Sequence, residues 1–373
     1  MTLCIPSMQE WSAILGATQA QVQLTFSGYV IAYGGFQLVH GPLSDRVGRK
    51  PVLLGGLVLA AAGSALAIVA PDVQWLIAAR VLQGAGTAAG MVVSRALIQD
   101  LFGGADRTRM MALVGMTMGL CPPLATLVGG QLHVRLGWQS NFVLVLGLSL
   151  LLLVWAWRGV PASAVAPRSD AHWFGQLVAG YARLVRQRVF LLYVLSISAT
   201  TATLYTFLAG APIVLGAYGV KPQHLGWYIM AVPAPYILGN LLAARLVHRL
   251  GDRGLMAVGH GLTVAGLALM LALALVGVHS PLAVVLPLML MGGGHGLLMP
   301  STLAAAVGVI PVLAGSAAAV AGLMQQMVGA LGGYAVGLVP HADAVNLGWL
   351  MLALGVAGAV SLLLLPRRGA PAG

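Results

Sequence analysis

The sequence predicts an all-α polytopic membrane protein, and three observations carry that reading. Apolar residues make up 59% of the 373 positions and charged residues only 7%. The uncharged stretches are long enough to cross a bilayer core as helices, which takes about 20 residues each. The basic residues gather on alternate loops, as the positive-inside rule requires of a chain that crosses a membrane repeatedly.

Taken in order, the apolar runs give eleven full spans, at 22–43, 51–70, 73–98, 110–133, 138–157, 189–212, 225–246, 254–276, 282–305, 315–338 and 345–365. The opening Met1-Thr-Leu-Cys-Ile-Pro-Ser-Met reads as the outer end of one more. Gly41-Pro42 is expected to end the first full span, and Pro51 suits the first turn of the second. The uncharged run 254–342 is far too long for a single crossing. Gly277–Pro281, Pro311 and Pro340 punctuate it into three helices.

The net charge of +11 follows from topology and is not a nucleic-acid signal. Loops near 46–50, 107–109, 158–188, 245–253 and 367–368 hold 15 of the 19 Lys and Arg residues. The opposite loops hold Arg135 and Lys221. The basic side is cytoplasmic, which puts the C-terminal tail there too. Arginine outnumbers lysine 17 to 2, which suggests a GC-rich bacterial source and hence an inner-membrane location. Cys4 and Cys121 form no disulfide framework or metal set and are read as packing residues. No basic segment followed by an apolar core opens the chain, so no cleavable signal peptide is expected.

Chemistry is sparse. The acids are Glu10, Asp45, Asp72, Asp100, Asp106, Asp170, Asp252 and Asp343, and each falls in a loop or at a span end. There is no carboxylate pair, no His-Glu-x-x-His, no Gly-x-Ser-x-Gly and no Walker loop, so enzymatic and ATP-driven functions are not expected. No cofactor is expected either. Energy, if any is coupled, is expected to come from an ion gradient.

The chain repeats itself at a shift of 203 residues, which aligns Arg46 with Arg249, Gly48 with Gly251, Lys50 with Arg253 and Gly56 with Gly259. Two pseudo-symmetric six-helix bundles follow, 1–157 and 189–373, joined by a cytoplasmic linker at 158–188. Within the linker, Trp173, Phe174, Leu177, Tyr181 and Leu184 recur at helical spacing and predict an amphipathic helix on the membrane surface. The same shift places the partner of residue 189 before residue 1. That partner falls at about −14, so the first span is expected to lack roughly 14 residues, by the repeat arithmetic.

Residues 41–51 read Gly-Pro-Leu-Ser-Asp-Arg-Val-Gly-Arg-Lys-Pro. Gly41, Asp45, Arg46, Gly48, Arg49 and Lys50 match the loop motif of the major facilitator superfamily in register. Arg80-Val-Leu-Gln-Gly-Ala-Gly resembles its fourth-helix motif. Gly119-Leu-Cys-Pro122-Pro123 with Gly129-Gly130 looks like a degraded fifth-helix antiporter motif. Ser94–Asp100, Leu208–Val214 and Leu3-Cys-Ile-Pro-Ser resemble the Bcr/CflA drug-efflux subfamily. The resemblance implies proton-coupled export of drugs or other small amphipathic molecules by a monomer that alternates its access, with lipid and a small-molecule substrate as its partners. Bcr/CflA members carry a first-helix Asp just before the segment that opens this chain, so that residue is not here to carry over. Metabolite export or uptake, and a truncated transporter without activity, are the alternatives.

The resemblance assigns a cytoplasmic latch to Asp45, Arg49 and Asp100, with Asp45 and Arg49 one helical turn apart. Arg80 lies eight residues beyond Asp72, about 12 Å into the membrane, where an unpaired charge costs ~2.5–3.5 kcal/mol or more. It should therefore face a partner or the substrate path. His295, in Gly-Gly-Gly-His-Gly, and His260 are the mid-membrane groups that titrate closest to neutrality. Gln83, Pro122, Tyr205, Phe207, Tyr228, Tyr236, Asn240, Met324, Gln325 and Gln326 complete the candidate substrate or proton path.

Overall fold

Helix is the regular structure throughout the computed structural model, which describes residues 2–101, 104–161, 173–310 and 313–366. A 3-10 turn, Thr2–Cys4, opens the chain. Then come α1 Met8–Ile14, α2 Gln19–Val47, α3 Arg49–Ile68, α4 Val73–Leu101, α5 Gly104–Leu136 and α6 Gln139–Gly159. Next are α7 Trp173–Val185, α8 Arg188–Ala217, α9 Pro222–Met230, α10 Pro233–Leu275, α11 Pro281–Gly308, α12 Ala314–Val336 and α13 Val345–Leu363. Among the described residues, seven helical stretches are long and apolar enough to cross a membrane; one of them, Pro222–Leu275, is 54 residues long and suffices for two passes. The protein is a multi-pass membrane protein.

Three boundaries differ from the expected ones. Gly41-Pro42 does not end α2: Pro42 sits inside the helix, which runs on to Val47 and stops at Gly48 (φ 106°). The turn is therefore this one glycine, which takes a left-handed conformation without a Cβ penalty. Asp45 and Arg49 consequently lie on different helices, not one turn apart on a single helix. The expected span 225–246 is broken, because Pro233 begins α10 and Pro233 and Pro235 cannot donate backbone bonds into α9. The expected break after it stands: within Pro233–Leu275 two helices meet at a kink at Gly251 (φ 67°). The residue 203 positions after Gly48 thus makes the same kind of bend. Finally, α8 continues through Pro212 to Ala217.

Contacts divide the chain into two units. The first comprises Met1–Ser169, Leu208–Met230 and Gly333–Pro340; the second comprises Asp170–Phe207, Ala231–Gly332 and His341–Gly373. In the first unit α4 packs on α2 and α3, α3 on α6, and α5 on α9 and on the opening turn. Close crossings explain the choice of glycine there. A Cβ on Gly86 would strike Ala60 and Gly56 of α3, and one on Gly84 would strike the Tyr29 backbone of α2. The opening segment is packed rather than loose. Leu3, Cys4, Ile5, Met8 and Trp11 are buried, and Trp11, Trp138 and Phe142 meet in edge and stacked contacts.

In the second unit α10 lies along α11 and α13. Gly259, 203 positions after Gly56, repeats its role: a Cβ there would meet Gly294 and Leu298 of α11. Helix α7 tucks Leu184 into a cluster with Phe190, Val194, Ala317, Val320 and Ala321, while Arg183, Arg186 and Arg188 stay exposed.

Candidate functional site

The fourth-helix motif builds a buried polar niche in the first unit, and each of its residues has a separate task. Arg80, 3% exposed, donates from Nη1 to Oε1 of Gln83, one turn on along α4. Gln83, also buried, donates from Nε2 to Ser64 Oγ of α3 at 2.7 Å. The guanidinium carbon lies 4.3 Å from the centre of the Tyr29 ring and 5.9 Å from that of Phe142. These distances suit cation–π attraction, which is strongest when the cation is desolvated. The Tyr29 hydroxyl pairs with Thr87 Oγ1 at 2.8 Å. Gly84 and Gly86 bring α2 and α3 close enough for Tyr29 and Ser64 to reach these partners. Sequence reasoning singled out Arg80 and Gln83 and missed Tyr29, Ser64 and Thr87, which carry no signal apart from their neighbours in space.

The loop motif forms a second cluster. Arg49, the first residue of α3, donates from Nε to Asp100 Oδ2 at 3.0 Å and from Nη1 to Ser44 Oγ at 2.7 Å. Ser44 is buried and donates in turn to the Gly41 carbonyl at 2.8 Å. The Asp45 backbone lies in the last turn of α2; its side chain is outside the described residues. Arg46 is exposed and Lys50 half-buried in the first turn of α3. Pro122 lies half-buried in α5, where its carbonyl accepts from Thr126 Oγ1 at 2.9 Å.

The second unit gathers polar groups on α8, α11 and α12. Tyr205 donates to Gln326 Oε1 at 2.8 Å, and Thr201 to Gln325 Oε1 at 3.2 Å; the two α8 residues are one turn apart and face α12. Thr203 Oγ1 lies 3.2 Å from His295 Nε2 of α11. Ser196 Oγ lies 2.8 Å from His260 Nε2 of α10. Both imidazoles are buried, and each directly follows a glycine of the Gly259–Gly294 crossing. Tyr236 and Asn240 are half-buried on α10 and present their backbones to Gly296. Phe207 is fully buried, a packing position. Tyr228 and Met324 are half-buried on α9 and α12.

A seam in the first unit was not foreseen. Gln9 donates to the Pro212 carbonyl at 2.7 Å and Gln23 to the Ala209 carbonyl at 3.0 Å. Pro212 has no N–H to donate to the Leu208 carbonyl one turn back, and Gln23 meets the next carbonyl, that of Ala209. Glycines continue the seam: Gly130 lies on Pro222, Gly226 on Leu127 and Gly337 on Ala20. Beside it, His133 Nε2 lies 3.1 Å from Glu10 Oε2. Glu10 was the one acid near the first span, which was the available hint.

A bundle of long apolar helices, with its charged loop motif and its buried polar niches, is the fold of a membrane transporter. The Major Facilitator Superfamily profile matches residues 1–333 and 196–372, and the chain belongs to that family. Multidrug resistance protein D of Escherichia coli (strain K12) is 29% identical over 359 residues, 95% of this chain and 89% of that protein. The chloramphenicol resistance protein of Pseudomonas aeruginosa is 28% identical over 298 residues, 79% of this chain and 70% of its own. A bicyclomycin resistance protein homolog of Haemophilus influenzae is 25% identical over 331 residues, 88% of this chain and 83% of its own. These relatives support the drug-efflux branch of the superfamily. The crystal structure of a point mutant of the nucleoside transporter NupG superposes with a TM-score of 0.75 at 14% identity, covering 98% of this chain and 99% of that one, and shows the shared fold.

Proposed function

We propose that this transporter exports drugs or other small amphipathic molecules in exchange for protons, alternating its access between the two membrane faces. The observation that carries the reading is the assembled loop motif: Arg49 of α3 bonded to both Asp100 of α4 and Ser44 of α2. That is a latch-like cluster at a helix turn, in a chain aligned over nearly its whole length with a multidrug resistance protein. The Gln9–Pro212 and Gln23–Ala209 seam is then the gate on the opposite, outer face. It is held by neutral side chains on backbone carbonyls, bonds that can be exchanged for water at about 1 kcal/mol each. Among the described residues the buried imidazoles His295 and His260 are candidates for the proton exchange.

The test is proton-dependent accumulation of chloramphenicol by everted membrane vesicles from an efflux-deficient host. Accumulation that an uncoupler abolishes is the expected result. Asp45→Asn and Arg49→Ala should reduce it sharply at matched protein level. Accumulation indifferent to the uncoupler would leave a facilitator of metabolites as the reading.

A further inference from the structure

We infer that the corner between α7 and α8 is a binding surface for an anionic diacyl phospholipid of the leaflet it faces. The inference goes beyond the export reading and needs only the membrane fold. It starts from how α7 is seated. Its inner side is fixed: Leu184 lies in the cluster with Phe190, Val194, Ala317, Val320 and Ala321, and Tyr181 and Leu313 pack against that cluster. A Cβ on Gly180 would touch Leu313. Arg188 opens α8 and Ala314 opens α12, so α7 is held at the ends of these two helices. Of these, Arg188–Ala217 is long and apolar enough to cross a membrane. Leu192, in the second turn of α8, packs in turn with Met256, Leu362 and Leu365. A short helix held at the end of a span lies at the membrane surface.

The other side of the corner is open. Ala182, Arg183, Val185, Arg186, Gln187 and Arg188 are all exposed. Three guanidiniums thus fall within six consecutive positions, and none of them has a hydrogen bond or ion pair among the described residues. Arg253, in the same unit, instead gives Nη1 and Nη2 to the Pro366 and Leu365 carbonyls. Asp252 beside it is exposed and pairs with none of the three. Asp170, upstream of α7, lies outside the described residues. Arg188 also heads an apolar stripe. Leu191 and Leu195 follow it by three and seven positions, hence on the same helix face, and are 42% and 43% exposed. By the helical rise they lie about 5 and 10 Å farther along the span. Val185, 49% exposed, flanks the arginines.

One surface therefore offers a cationic rim above an apolar wall. A free phosphate would use only the rim, and a neutral chain only the wall. A phospholipid with a net negative headgroup uses both. Guanidinium forks match phosphate oxygens in pairs, and long arginine stems let neighbouring heads converge on one group. A zwitterionic headgroup carries its own ammonium, which offsets the attraction.

The test is competitive lipid binding to the full chain in detergent, read by native mass spectrometry, with phosphatidylglycerol and phosphatidylcholine of identical acyl chains. Each basic residue near a membrane surface contributes about fivefold toward anionic lipid. The first phosphatidylglycerol bound is therefore expected to be preferred over phosphatidylcholine by at least about 10-fold. Arg183→Gln, Arg186→Gln and Arg188→Gln combined should remove most of that preference. Arg158→Gln, Arg245→Gln and Arg249→Gln combined remove the same charge from other exposed arginines and should leave it in place. Because the preference is a ratio within each variant, a change in the amount of folded protein does not move it. Glycerol phosphate, the headgroup without chains, should compete at least about 10-fold less well than the lipid, since it buries no apolar surface. Equal losses in the two triple variants would mean diffuse attraction to basic loops, and glycerol phosphate competing as well as the lipid would mean a site for soluble anions. Either result, or no preference in the unaltered chain, would overturn the inference. No transport enters the measurement, so its failure and the failure of the export reading are seen separately.

Discussion

Replacing Asp100 by Asn tests whether the loop motif is a conformational latch or only a charged turn. The carboxylate is 48% exposed and the guanidinium of Arg49 17% exposed, so water screens the pair from one side. Such pairs contribute ~0.2–1 kcal/mol. At the upper value the loss changes an equilibrium constant about fivefold. If the pair exists in one transport state and not the other, Asp100→Asn should shift that equilibrium by this factor and slow export several-fold, with the folded yield unchanged. Arg49→Ala should cost more, because it also strips the buried Ser44 hydroxyl of its donor. Arg49→Lys should not restore the rate, since one ammonium on a flexible stem cannot replace the Nε and Nη1 contacts together. The assay is initial export rate in everted vesicles, normalised to protein, for Asp100→Asn, Arg49→Ala and the double variant. A latch predicts coupling: the double variant should be hardly worse than Arg49→Ala. Losses that simply multiply, or near-normal rates in both single variants, would refute the reasoning.

Three further outcomes are expected. Arg80→Lys should not recover export lost in Arg80→Ala, because a lysine cannot lay a planar cation between Tyr29 and Phe142 while reaching Gln83; a fully active Lys variant in the vesicle assay would show that charge alone suffices. Gly86→Ala should lower thermal stability by ~1–3 kcal/mol, since its Cβ has no room against Ala60 and Gly56. Gly90→Ala, on the same helix with nothing within 4 Å, should hold or raise stability by up to ~1 kcal/mol, so equal melting shifts for the two would contradict the packing argument. His295→Asn should leave downhill flux of substrate through proteoliposomes intact while abolishing uptake driven by an imposed pH gradient; gradient-driven uptake at the normal rate would take His295 out of the coupling.

The helices were legible because lipid leaves the backbone no other open-chain solution, so length and apolarity alone mark them. What failed was the reading of Gly41-Pro42 as a stop, whereas the breaks at Pro281 and Pro340 stand. Pro42 and Pro212 lie inside helices, whereas Pro233 opens one, and the three differ in what surrounds them rather than in local sequence. In a soluble helix the groups freed by an interior proline turn to water; a packed membrane helix can satisfy the disturbed turn from a neighbour, as Gln23 does at Ala209. Glycine was the better guide. Gly48 and Gly251 mark the real turns, and the 203-residue repeat already paired them.

The candidate site was legible only as far as cost could reveal it. Arg80 announces itself, because a buried guanidinium in a membrane is expensive and must be held. Its holders do not. Tyr29 is 51 positions away and Ser64 16, and neither is unusual in its own helix. They become partners because Gly84 and Gly86, two positions apart on α4, let two different helices approach at the same level. The motif Arg-x-x-Gln-Gly-x-Gly is therefore a single device: one residue carries the charge, one holds it, and two remove the bulk that would keep its aromatic and hydroxyl neighbours away. A substitution at either glycine should then act on Arg80 as well as on packing, and the electrostatics of this niche cannot be separated from the closeness of its helices.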